Sequence, residues 1–469
     1  MSAHNQVPGS TRNSRRGRRA ASAIAVVAAL VLAACSGDDA STDTAASSPD
    51  TTSSPDTSAA PETSANSSPD TSAAPTTTEP ASGAVTDLVA YTGGTAGPAD
   101  DSLEPVKIGW FNQEGGGLAW PAATEGAQAA VNYINSELGG IDGHPLELST
   151  CFVVQSEQDG NACGLQFSND DSVKTVLYGT AIFGDAALQA VLQGSKPILM
   201  ANSISTTDAA GDNVYIYNGN PSSIFGGLTT YLVDELQAKT VSLIYPQDAQ
   251  SIGGAETLTS ALEAAGVTVN SVGFDPATTN LTAAATAAGV LDTDAIVPLV
   301  SFPPACVAAA NAFKTLNVTA PVVSTGSFCF TKDVAQGLGG DTPEWLQLST
   351  QVNVADSTQP DVQAYIEQST QAGLSADVQN DSNAALAWGL VMTAARLLNA
   401  AGGADATEET IAAEAVAFSG PMLLGPEVVA CGTYPTQAGL CGFQTRVFEN
   451  TGGNVFLAVT DWLDPTGVE

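Results

Sequence analysis

Apolar residues recur with two distinct periods along this 469-residue chain. Compact apolar runs stand at VKIGWFN (106–112), LELSTCFVV (146–154), VKTVLYG (173–179), PILMAN (197–202), VSLIYP (241–246), VTVNSVGF (267–274), DAIVPLV (294–300) and APVVSTG (320–326). Each has the length of a strand. Between most of them the pattern turns helical. In AATEGAQAAVNYINSELGG, Ala127, Val131, Ile134 and Leu138 fall at spacings of 4, 3 and 4, which places them on one helix face. Pro121 suits the first turn of that helix and Gly139-Gly140 its stop. ETLTSALEAAG repeats the design before the run at 267. Strand and helix in alternation predict α/β architecture, with parallel sheets covered by helices on both faces. Such sheets bind ligands beyond the carboxyl ends of their strands.

The N-terminal pattern is different. Residues 20–34 are almost wholly apolar and follow Arg12, Arg15, Arg16, Arg18 and Arg19. As a helix this run reaches only ~22 Å, short of the ~30 Å hydrocarbon core. Basic flank, short apolar run and small residues together read as an export signal over 1–34. Leu32-Ala33-Ala34-Cys35 resembles a bacterial lipobox, which implies acylation of Cys35 and removal of the leader. Ser14-Arg15-Arg16 leaves the twin-arginine route open beside the general one. Residues 35–100 are dominated by Ser, Thr, Ala, Pro and Asp, and SSPDTSAAP occurs at both 53–61 and 67–75. With little to bury, this segment is expected to be a disordered spacer.

Charge narrows the partners. The chain holds 13 basic and 49 acidic residues, a net −36. Five of the basic residues and none of the acidic ones precede Cys35, so the exported chain would carry eight against 49, or −41. Such a chain repels nucleic acid and anionic lipid headgroups, leaving a lipid anchor as the expected membrane contact. Beyond Cys35 stand Cys151, Cys163, Cys306, Cys329, Cys431 and Cys441. Six cysteines in an exported chain imply disulfides. Fifteen connectivities are open, and spacing favours the neighbours 151–163, 306–329 and 431–441. No CxxC spacing occurs, and His144 is the sole histidine past the leader, so no metal or cofactor is expected. Nor does the globular part contain HExxH, GxSxG, GxGxxG or a P-loop, and no enzyme activity is expected. About 370 residues remain after the spacer, enough for two packed lobes.

VKIGWFN…GAQAAVNYINSELGGIDGHPLEL resembles the opening of type I periplasmic solute-binding proteins, the branched-chain amino acid-binding (leucine-binding) family. The order continues through VKTVLYGTAIFGDAALQAV, KPILMANSISTT, NVYIYNGNPSSIFGGLTTYLVDEL and KTVSLIYPQDAQSIGGAETLTSALEAAGVTV to DAIVPLVSFPPACVAAANAFKTLNVTAPVVSTG. The likeness spans about 105–465. It implies two Rossmann-like lobes joined by three crossovers, near Gly219, Gln351 and Val429, with a small molecule held in the cleft between them. One lobe would comprise 101–219 and 351–428, the other 220–350 and 429–469. The implied protein is a monomer, lipid-anchored at the outer face of the cytoplasmic membrane, that delivers its ligand to an ABC permease. A ligand-sensing or envelope-scaffolding lipoprotein on the same fold is the alternative.

The resemblance also proposes ligand-binding residues. Trp120 stands where the family carries an aromatic over the ligand, and packing the helix start is its other reading. Ser203 and Ser205 stand where the family holds a carboxylate, although hydroxyls there serve equally well as helix caps. Thr180 lies in the preceding loop, where the family's hydroxyl aligns closer to Phe183. Gln250 and Phe302 belong to the facing lobe's loops, and Phe302 could instead pack beside Cys306. Gly326 departs from the family, which places an acidic residue there for the ligand's ammonium. Glu114 or Asp248 could substitute for it. Otherwise the ligand lacks an α-ammonium, and Gly326→Glu should improve amino-acid binding if the loop tolerates a side chain.

Overall fold

The structure is a computed structural model that describes residues 84–116 and 118–465. The leader, Cys35 and the spacer up to residue 83 lie outside the described residues. A short helix, α1 (Leu88–Thr92), precedes β1 (Val106–Gln113), α2 (Pro121–Glu137), β2 (Leu146–Val153), α3 (Glu157–Ser168), β3 (Val173–Tyr178), α4 (Asp185–Leu192), β4 (Ile198–Asn202) and β5 (Val214–Gly219). These strands form one parallel sheet in the order β2-β1-β3-β4-β5. Strand alternation decides what each face buries. Ile108, Trp110, Leu177 and Leu199 turn towards the Ala127, Val131 and Ile134 stripe of α2. Phe111, Val176, Tyr178 and Met200 turn the other way, against Phe167 of α3 and Leu188 of α4.

The chain leaves this lobe at Gly219-Asn220 and builds a second one. There α5 (Pro221–Thr230), β6 (Thr240–Pro246), α6 (Ala249–Ala264), β7 (Thr268–Phe274), α7 (Thr282–Ala287), β8 (Ala295–Pro298), α8 (Pro303–Leu316), β9 (Val323–Thr325), α9 (Lys332–Leu338) and β10 (Leu346–Ser349) follow in turn. Strands β7-β6-β8 are parallel, and an Ile296–Val322 bridge carries the sheet on to β9 and β10. Val241 and Leu243 pack with Leu258 and Leu262 of α6 on one face, while Ile244 and Ile296 pack with Ala309 and Phe313 of α8 on the other. From about Thr350 the chain returns to the first lobe as α10 (Pro360–Gln371), α11 (Ala376–Gln379), α12 (Ser382–Ala400) and α13 (Glu408–Ala417). Helix α12 lies so close to α2 that a Cβ on Gly126 would stand 2.2 Å from the Ala384 carbonyl oxygen, so only glycine fits there.

Two expected boundaries need correction. Composition places residues 84–100 in the spacer, yet Leu88 and Tyr91 are buried in the first lobe. The Tyr91 hydroxyl lies 2.8 Å from Thr393 Oγ1 and accepts the Leu423 N–H at 3.3 Å. Leu88, Val89 and Tyr91 supply the apolar surface that the upstream repeats lack. Past α1, the N–H groups of Thr95, Gly97 and Ala99 donate to the carbonyls of Leu138, Glu137 and Asn135, satisfying groups that the end of α2 leaves unpaired. The second correction concerns the third crossover, expected near Val429. Val429 and Cys441 pack in the first lobe, and Leu440 bridges to Ile216 of β5. The crossing falls at about 442–445 instead, just before β11 (Arg446–Asn450), which runs antiparallel to β10, and β12 (Phe456–Ala458), which pairs antiparallel with β11. A loop closed by Cys431–Cys441 has no strand or helix period, so its attachment to the edge of β5 left no trace in the pattern.

The bridges Cys151–Cys163, Cys306–Cys329 and Cys431–Cys441 are all formed. Among the described residues no helix is long and apolar enough to cross a membrane.

Candidate functional site

Strand β1 ends on two buried amides, Asn112 and Gln113, which the sequence reading did not single out. A buried amide must find partners, and these two organise the neighbouring loops. Asn112 accepts the Thr180 N–H at 2.9 Å and donates to the Trp120 carbonyl at 2.9 Å and to Glu114 Oε1 at 3.0 Å. Gln113 accepts the Ile182 N–H at 2.9 Å and donates to the Leu118 carbonyl at 3.2 Å. The loops after β1 and β3 are therefore held in one fixed relation.

Trp120 is half-buried at the start of α2 and packs against the first lobe's core. Thr180 donates its hydroxyl to Asn383 Oδ1 at 3.0 Å, at the beginning of α12. Ser382, one residue earlier, pairs with Ser327 Oγ at 3.1 Å, and Ser327 follows Gly326 in the loop after β9. Thr180 and the Gly326 loop are thus brought together through two residues of α12, although they belong to different lobes. Gln250 and Phe302 make no side-chain hydrogen bond to this cluster. Gln250 is exposed in the first turn of α6, and Phe302 is 52% exposed just before α8.

Of the two readings of Ser203 and Ser205, holding a ligand and capping local backbone, the hydrogen bonds favour capping, although only a one-turn 3-10 segment, Asp208–Ala210, follows. The Ser203 hydroxyl is buried, 2.5 Å from Asp208 Oδ2 and 2.7 Å from the Ser205 carbonyl. Ser205 Oγ lies 2.6 Å from Thr207 Oγ1 and accepts the Thr207 N–H at 3.1 Å. Both hydroxyls serve the loop itself. Burial pushes the Asp208 carboxyl up to about 6, with the Ser203 hydrogen bond opposing and the neighbouring Asp185 carboxylate adding to the rise.

Gly326 adopts a left-handed conformation, φ 77°, while its N–H donates to the Leu348 carbonyl at 2.8 Å. A Cβ there would meet the Phe328 ring at 3.4 Å. The loop therefore does not meet the condition set for Gly326→Glu: the left-handed backbone strains any side chain there, while the ring contact is of ordinary length. Both proposed substitutes already accept hydrogen bonds from neutral donors. Asp248 caps α6 by accepting from Ser251 N and Oγ at 2.9 Å each. Glu114 Oε1 accepts from Thr124 Oγ1 at 2.5 Å as well as from Asn112. Phe328, 46% exposed beside Gly326, went unnoticed in the sequence, where it reads only as the residue before Cys329.

Comparison with known proteins then fixes the family. A family model described as periplasmic binding protein matches residues 105–438. Among solved structures, a leucine-binding protein from Thermotoga maritima is 16% identical with a TM-score of 0.61, covering 77% of this chain and 99% of its own. The branched-chain amino acid substrate-binding protein LivJ from Streptococcus pneumoniae, solved with isoleucine, is 19% identical at TM-score 0.59 and covers 77% and 100%. A solute-binding protein from R. palustris, in complex with 4-hydroxybenzoate, is 14% identical at 0.59 and covers 77% and 98%. No curated protein matches. At these identities the solved structures speak for the fold alone, whereas the family match extends over most of the folded chain: this protein belongs to the periplasmic binding proteins, type I.

Proposed function

We propose that the protein is an extracytoplasmic solute receptor that captures a small molecule between its lobes and delivers it to an ABC permease. One observation carries the reading: the loops at the carboxyl ends of β3 and β9, from opposite lobes, meet through Thr180–Asn383 and Ser382–Ser327. Ligand sites of open α/β sheets lie beyond those strand ends, and lobes that touch there close around what they bind. Solved relatives are described as binding leucine, isoleucine, 4-hydroxybenzoate and fatty acid, which supports a small organic solute. Export and acylation at Cys35 would hold the receptor at the outer face of the cytoplasmic membrane, acting as a monomer. Trp120, Thr180, Ser203, Ser205, Gln250, Phe302 and Gly326 are the proposed cleft residues, and Phe328 joins them.

The test is mass spectrometry of small molecules released from the purified, denatured protein, followed by uptake of that molecule in cells lacking the gene. A released solute whose uptake falls on deletion supports the reading. Unchanged uptake, or no released solute at all, would refute it.

A further inference from the structure

We infer that the loop closed by Cys431–Cys441 is a brace across the hinge, in which Gln437 fastens the first crossover and limits the swing of the lobes. The inference rests on the receptor reading and adds to it a residue that positions one lobe against the other.

Lobes joined by crossovers alone turn on a few backbone dihedrals, and a side-chain tie across the joint restricts that turn. The loop has its footing in the first lobe. Gly439 donates its N–H to the Ala209 carbonyl at 2.8 Å, and Ile216 of β5 donates to the Gly439 carbonyl at 2.8 Å. Cys441 donates back to the Ile216 carbonyl at 2.9 Å. Tyr434 packs against the core that holds Phe167 and Leu188, and the disulfide closes the loop at its base. Inside it, the Gln437 N–H donates to the Tyr434 carbonyl at 2.9 Å, while the Gln437 carbonyl accepts the Leu440 N–H at 2.9 Å. The backbone of Gln437 is therefore fixed to the first lobe.

Its side chain reaches the second lobe. Asn220, fully buried at the first crossover, caps α5 by accepting the Ser222 and Ser223 N–H groups at 3.0 and 3.3 Å. The Asn220 amide nitrogen donates to Gln437 Oε1 at 2.7 Å. Gln437 Nε2 in turn donates to Ser222 Oγ at 3.2 Å. A buried amide with its oxygen on the cap and its nitrogen on Gln437 has a single satisfied orientation. Turning α5 about Gly219 carries Asn220 and Ser222 away from Gln437, and both bonds must then break. The same loop stiffens the third crossover. Val429 bridges to Gly442, Ala430 donates its N–H to the Cys441 carbonyl at 2.8 Å, and Gln444 Oε1 accepts the Val428 N–H at 3.0 Å. First and third crossovers are thus tied through one loop. A braced hinge visits fewer open arrangements, so the closing state is populated more often before ligand arrives.

The test measures the distance between the lobes in the ligand-free full chain by pulsed electron paramagnetic resonance. Exposed Gln158 of α3 and Glu256 of α6 are each replaced by p-acetylphenylalanine and coupled to a nitroxide, which leaves the bridged cysteines untouched. Gln437→Ala removes both bonds and should broaden the distance distribution by roughly half or more. Gln437→Glu keeps the tie, because a carboxylate accepts from the Asn220 amide and from the Ser222 hydroxyl, and its distribution should match that of the unchanged chain. An alanine variant whose distribution superimposes on the unchanged one overturns the brace. A glutamate variant as broad as the alanine variant overturns it as well, since the side-chain bonds would then not be what restrains the hinge. None of these outcomes bears on the receptor reading, which is judged by the released solute and its uptake.

Discussion

Ser327 and Ser382 lie with their Oγ atoms 3.1 Å apart, a contact between lobes made by residues 55 positions apart in the chain. Neither side chain is needed to build its own lobe, so the pair tunes how the lobes meet. Ser327→Ala should lose a hydrogen bond whose net value is about 0.5–1.5 kcal/mol. The expected result is a roughly two- to tenfold shift towards the open arrangement, read as a larger radius of gyration in small-angle scattering and an unchanged urea midpoint. An identical scattering curve would show that the contact does not bias closure.

Gly326 governs a second expectation. Placing any Cβ at a left-handed position costs roughly 1–2 kcal/mol, so Gly326→Ala and Gly326→Glu should both lower stability by about that amount. Because the left-handed backbone strains any side chain there, the glutamate should bring no gain in leucine affinity by calorimetric titration. Micromolar binding by the glutamate variant would show that the loop accommodates the side chain despite its backbone.

The strap ahead of β1 should prove part of the first lobe. Tyr91→Phe leaves the Thr393 hydroxyl and the Leu423 N–H without the phenol oxygen, at a cost of about 1–3 kcal/mol. Tyr91→Ala also opens a cavity and should cost about 3–5 kcal/mol. Urea denaturation of the two variants checks the order, and equal midpoints for all three proteins would contradict the packing.

Asp208 gives the protein a pH signature. Its carboxyl titrates at about 6 in the fold against 3.8 for the ordinary group, so the folded state holds the proton more tightly. The stabilising contribution is complete below pH 3.8 and is lost as pH rises through 6. By pH 7 the loss should reach on the order of 2–3 kcal/mol. Asp208→Asn should remove this slope and be the more stable protein at pH 7. Urea midpoints between pH 5 and 7 that run parallel for the two proteins would disprove the assignment.

Cys35→Ala should move the protein from the membrane to the soluble fraction, because a multiply acylated terminus holds firmly where one chain would not. Palmitate label incorporated by the alanine variant would rule out Cys35 as the acylated residue.

The sequence made most of the scaffold legible where apolar runs were long. Strands β1 to β3 and the Ala127–Leu138 stripe appear within a residue or two of their expected bounds. Strands β10, β11 and β12 hold only three to five residues each and carry Gln347, Glu449 or Asn450 among them, so no run announced them. The site was legible as loop positions and not as contacts. Ser203 reads the same in a sequence whether its hydroxyl faces a ligand or Asp208. Asn112-Gln113 did leave a signal, two amides closing an apolar strand just before glycines. Its meaning emerged only when both proved buried.

The strap has a mechanical consequence. From Leu88 to Ala99 it is bonded to Thr393, Leu423 and the end of α2, all in the first lobe. Whatever force reaches the folded body through the chain ahead of residue 84 is therefore borne by that lobe alone. The second lobe carries no such load; if the lobes close as proposed, it is the one that moves relative to the tether, and the permease would meet that movement on the second lobe.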